Sequence, residues 1–163
     1  MKPTCFILIL LSVFVANAFA GNKNDSLSGV WKLNVEKTPP ANNRIFLSKI
    51  SFKLKNDSLF TIRTYENNNG ETYPFDENLT LDGKEYKIVV YDLPRKARAY
   101  RSKDDGALII ESTTTFNGNS GEEDFNLIEA WKAAENGTVL TVNFAAKSSA
   151  GDTKGSYLFV KSE

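Results

Sequence analysis

Residues 121–144, GEEDFNLIEAWKAAENGTVLTVNF, decide the fold. Phe125, Leu127, Glu129 and Trp131 recur with a period of two, and so do Leu140, Val142 and Phe144. Between the two runs lies Glu135-Asn136-Gly137, whose Asn and Gly tolerate the positive φ of a tight turn. Period-two alternation interrupted by turn chemistry is the signature of half-buried antiparallel strands. Read in both directions from this hairpin, the pattern continues and helical periodicity is nearly absent.

Toward the N-terminus, Leu108, Ile110, Ser112, Thr114 and Phe116 share a face, preceded by the turn Asp104-Asp105-Gly106 and a short basic strand from Ala97 to Lys103. The segment Asp92 to Lys96 reads as a loop, and Tyr86, Ile88 and Val90 as a strand before it. Asp82-Gly83 is the strongest hairpin signal in the chain. Pro74 marks the strand carrying Tyr73, Phe75, Leu79 and Leu81 as an edge or bulged segment, because proline cannot donate to a ladder. Further upstream come strands around Leu59 to Glu66, Ile45 to Lys55 and Gly29 to Val35. Toward the C-terminus, Tyr157 and Phe159 close the pattern. The fold class expected is all-β, an antiparallel up-and-down meander of about 8–10 strands, and closure into a barrel removes the exposed edges that an open meander would leave.

The first twenty residues differ from the rest. Lys2 precedes an apolar run and the small-residue pattern Ala18-Phe19-Ala20, the plan of a cleavable secretory signal. Residues 1–20 are therefore expected to be a signal peptide and residues 21–163 a single domain, placed in a periplasm or secreted. Cys5 opens the apolar run where a lipoprotein signal would end on its cysteine, so no lipid anchor is expected, and no later stretch is long and apolar enough to span a bilayer. A domain of about 140 residues is large enough to bury about two thirds of its unfolded surface without disulfides.

Composition narrows the chemistry. The chain has no His, and its one Cys and one Met fall in the signal segment. That removes the Ser-His-Asp triad, a cysteine nucleophile and the ordinary zinc site from a mature domain. Lys and Arg number 20 against 20 Asp and Glu, and loss of Lys2 leaves 19 against 20, which gives no footing for nucleic acid. No enzyme, metal or cofactor is expected. Glu122 and Asp124 lie on one face of a strand directly after a glycine-containing turn, where solvated charge is the ordinary role.

At GVWKLN, residues 29–34, a motif appears: Gly29-x-Trp31 on a first strand resembles the GxW signature of lipocalins and their bacterial lipocalin-like relatives. The cadence of EAWKAAENGTVLTV, residues 129–142, is similar to theirs. The resemblance, to small exported calycin-type β-barrel domains, implies a closed lipocalin-like barrel able to hold a small apolar or amphipathic ligand. It also implies that Trp31 sits at the closed end under a basic side chain of the last strand, Lys161 standing where Arg is more usual. A count of about ten strands departs from the eight of lipocalins and is closer to fatty-acid-binding proteins.

Candidate ligand contacts in the lumen are Arg98, Tyr100, Glu129 and Trp131. Arg98 and Tyr100 together could hold a carboxylate or phosphate through charge-assisted bonds, the alternative being a solvated edge strand protected by charge. Glu129 shares a face with Phe125, Leu127 and Trp131, and a carboxylate buried there must find a partner or a proton; a structural pair with an Arg or Lys is the ordinary outcome. The function expected is an exported binding protein without catalysis, the alternative being an envelope or secreted protein-interaction module.

Overall fold

The computed structural model describes residues 27–39, 45–118, 121–134 and 136–162. The signal segment read at residues 1–20 lies outside them. Ten antiparallel strands follow in chain order: β1 (Gly29–Leu33), β2 (Phe46–Lys55), β3 (Ser58–Glu66), β4 (Thr72–Thr80), β5 (Tyr86–Val90), β6 (Leu93–Arg101), β7 (Leu108–Gly118), β8 (Gly121–Ala133), β9 (Val139–Ser148) and β10 (Gly151–Ser162). They form one sheet in the order β4-β3-β2-β1-β10-β9-β8-β7-β6-β5, an up-and-down meander that curls into a nearly closed barrel.

The first and last strands meet inside the sheet, where β1 pairs with β10 from Val30↔Ser162 to Leu33↔Phe159. The gap in the barrel falls instead between β4 and the β5–β6 hairpin, which approach without a backbone ladder. Pro74 lies on β4, a strand with one hydrogen-bonded neighbour, as its missing N–H requires. Contacts bridge this seam at three levels along its length. At one end Gly83 donates its N–H to the Ala99 carbonyl at 3.0 Å beside an isolated bridge between Asp82 and Tyr100. Midway, Arg95 of β6 pairs with Glu77 of β4, and at the other end the Tyr91 hydroxyl donates to the Pro74 carbonyl at 2.6 Å.

Two turns differ from the sequence reading. Asp82-Gly83 has the backbone of a turn, with Gly83 at φ 78°, yet the strands it joins do not pair; it carries the chain across the seam and docks on β6. The loop expected over Asp92 to Lys96 is a two-residue turn, Tyr91-Asp92, with Val90 facing Leu93 directly. Both turn residues are left-handed, at φ 50° and 64°, the type I′ requirement usually met by Asn-Gly or Asp-Gly. Tyr at such a position is unusual, and it hid the turn from the sequence.

The interior is layered along the barrel axis. At the end bearing the β2–β3, β6–β7 and β8–β9 turns, an apolar plug of Leu27, Trp31, Phe52, Leu59, Leu79, Ala99, Leu108, Ile110, Leu140 and Phe159 is buried. The opposite end, ringed by the β3–β4, β5–β6 and β9–β10 turns, has half-buried aromatic walls: Tyr65 stacks on Phe75 with centroids 5.9 Å apart, and Phe144 on Tyr157 at 4.9 Å. Gly155 explains how the second pair fits, because a Cβ there would come within 2.8 Å of the Phe144 ring.

Candidate ligand site in the barrel lumen

Between the plug and the aromatic walls lies a layer of buried charge. On β3 the inward row is Leu59, Thr61, Arg63 and Tyr65, and on β4 it includes Phe75, Glu77 and Leu79. Alternation puts Arg63 and Glu77 in the lumen as surely as it puts their apolar neighbours there. Arg95 comes inward from β6 in phase with Ala97 and Ala99, and Glu129 from β8 in phase with Trp131.

These four side chains form one chain of contacts. Arg63 Nη1 donates to Glu129 Oε2 at 2.6 Å, and Arg63 Nε stands 3.2 Å from Glu77 Oε2, an ionic contact without hydrogen-bond alignment. Arg95 Nε donates to Glu77 Oε1 at 2.8 Å, and Arg95 Nη1 to Thr114 Oγ1 at 3.2 Å. The network thus ties β8 to β3 across the lumen and β4 to β6 across the seam. Arg63 also packs between two rings, its Cζ 5.1 Å from the Trp131 centroid and 5.9 Å from that of Phe75, and Arg95 lies 5.6 Å from Phe75.

Electrostatics favour the charged forms of Glu77 and Arg63. Burial by itself would raise the Glu77 carboxyl, but Arg63 and Arg95 outweigh it and hold Glu77 below the ordinary glutamate range. Burial would lower the Arg63 guanidinium, and Glu129 and Glu77 more than reverse that. The Tyr65 phenol is pushed up, chiefly by burial.

Hydrogen-bonding capacity is left over. Arg63 Nη2, Arg95 Nη2 and Trp131 Nε1 are buried donors without a hydrogen-bond partner, and so are the hydroxyls of Thr61 and Ser112. An unmet buried donor costs on the order of 1–3 kcal/mol, so each of these groups favours an acceptor.

Of the lumen residues expected from sequence, Glu129 and Trp131 come together here, the former paired with an arginine. Arg98 and Tyr100 do not. The expectation that they line the lumen is corrected: β6 turns Arg95, Ala97 and Ala99 inward, so both face outward. Arg98 has a side chain 52% exposed, its Nε donates to Glu111 Oε2 at 2.7 Å, and the Tyr100 hydroxyl donates to Glu111 Oε1 at 2.7 Å. Glu122 and Asp124 are exposed on β8. Arg63, Glu77 and Arg95 were missed. A signal exists, since each is in phase with inward apolar residues on its strand, but the sequence around Arg95 reads as a loop.

At the closed end, Trp31 is fully buried and donates its indole N–H to the Leu27 carbonyl at 2.7 Å. Lys161 Nζ stands 5.2 Å from its ring centroid, and Gly29, at φ 140°, leaves room for the Lys161 stem, which a Cβ would meet at 2.6 Å.

Fold and site together define a nearly closed, ten-stranded antiparallel barrel with a charged layer inside. No protein-family model and no curated protein matches the sequence. Among solved structures, the chain is similar to a secretary abundant heat soluble (SAHS) protein from Ramazzottius varieornatus, at 14% identity over 84% of this chain and 96% of that one, with a TM-score of 0.53. That likeness is one of fold. No helix among the described residues is long and apolar enough to cross a membrane.

Proposed function

We propose that this chain is an exported binding protein that holds a small amphipathic molecule in its lumen and performs no chemistry on it. The observation that carries the reading is the cluster of unpartnered buried donors on Arg63, Arg95 and Trp131 beneath the aromatic walls of the open end. A few convergent polar groups at the base of an apolar wall are how small-molecule sites are generally built. The apolar part of the ligand would lie against Tyr65, Phe75, Phe144 and Tyr157, and its polar group would meet the donors. Glu129 and Trp131 belong to that floor, Glu129 by orienting Arg63. Gly29, Trp31 and Lys161 close the far end and take no part in binding.

The signal pattern at residues 1–20 supports delivery to a periplasm or to the exterior. Native mass spectrometry of the purified protein is expected to show a retained small molecule, and a hydrophobic fluorescent probe is expected to bind with one-to-one stoichiometry. A protein that retains nothing, binds no probe and instead captures a defined protein partner would replace this reading with that of an interaction module.

A further inference from the structure

We infer that the lumen selects an uncharged amphiphile whose polar end is a hydrogen-bond acceptor, such as an ester, amide or ether oxygen, and discriminates against carboxylates and amines. The inference rests on the lumen-binding reading above and adds the chemical class of the ligand.

The first argument is charge balance. Among the described residues, the buried charged side chains are two arginines, Arg63 and Arg95, and two glutamates, Glu77 and Glu129. Each arginine already has a carboxylate partner, and Glu77 bridges both. An anionic head group in this layer would be a third negative charge against two positive ones, and an ammonium a third positive charge. Neither could be compensated without expelling a native partner, and an uncompensated buried charge is costly. A neutral ligand leaves the balance intact.

The second argument is the sign of the unmet hydrogen bonds. The nitrogen atoms left over, Arg63 Nη2, Arg95 Nη2 and Trp131 Nε1, can only donate, and the Thr61 and Ser112 hydroxyls can donate as well. The carboxylate oxygen of Glu77 without a hydrogen bond, Oε2, already sits against Arg63. What these three nitrogens lack is an acceptor.

The test is a matched set of one chain length, dodecanoate, methyl dodecanoate and dodecylamine, titrated against the purified protein at neutral pH with displacement of a bound fluorescent probe. The ester is expected to bind about tenfold more tightly than either charged molecule, which corresponds to about 1.4 kcal/mol. In Glu129→Gln the floor gains one positive charge, and dodecanoate is expected to improve about tenfold relative to the ester. Equal or tighter binding of dodecanoate to the unaltered protein overturns the inference and leaves lumen binding intact; should the variant not fold, this ratio alone decides. An unchanged ratio in a folded Glu129→Gln also overturns it. Binding of none of the three, with no probe retained, overturns the lumen reading and the inference together.

Discussion

Arg63 is where the sequence is hardest to read and the structure most specific. It makes ion contacts to two carboxylates on different strands and packs between two aromatic rings, with its side chain fully buried. Removing one partner of a buried ionic network leaves the others uncompensated, which costs about 3–5 kcal/mol. Arg63→Met is expected to lower stability in urea by that amount, and adding Glu129→Gln to recover part of the loss. Full additivity of the two changes would show that the pair is uncoupled.

Glu77 makes the network sensitive to acid. Its folded pKa lies below the ordinary value of 4.5, so its ionisation stabilises the fold fully above that pH. The stability is lost as pH falls through the depressed folded value. Melting temperatures recorded down a pH series should therefore drop below about pH 4.5 more steeply than in Glu77→Gln, which has no carboxylate to protonate. Equal slopes would remove Glu77 as the cause.

At the scale of elements, the strands were legible because each inward face repeats every second residue, and Trp31, Ile110, Trp131 and Val142 all obey it. The β5–β6 turn was not legible, since its shape depends on a left-handed Tyr91 held by a bond to Pro74, seventeen residues away in sequence. Local pattern carries no record of such a partner. The same holds for Asp82-Gly83, where correct turn chemistry led to the wrong neighbour because the destination of the following strand is a property of the closed sheet. A left-handed residue other than glycine costs roughly 1–2 kcal/mol. Asp92→Gly, relieving one of two such positions, is expected to raise stability by about 0.5–1 kcal/mol, read in urea unfolding. Tyr91→Phe should speed amide exchange in β5 and leave the β1–β10 pairing unchanged; uniform protection in both regions would show that the hydroxyl holds nothing.

On the scale of the whole molecule, the all-β meander followed from sequence and the position of its gap did not. The charged layer inside the barrel is only partly legible in the sequence. Glu129 and Trp131 stand on the inward face of β8 as their spacing implied, whereas Arg98 was assigned inward by its chemistry when the phase of Ala97 and Ala99 put it outside. If export follows the signal pattern, intact mass of the protein recovered outside the producing cytoplasm is expected to correspond to a chain starting at Gly21. A mass retaining Met1 would remove the signal reading.

The seam gives the barrel an unequal girth in mechanical terms. Its base is pinned by a backbone bond from Gly83 to Ala99, its waist by the Glu77–Arg95 ion pair, and its mouth by one exposed phenol on Pro74. Stiffness should fall in that order, because the mouth can part by breaking one solvent-exposed bond while the waist cannot separate without stranding charge. The wall would then spread as a cone hinged at the plug, its circumference growing toward the rim while the charged waist keeps a constant width.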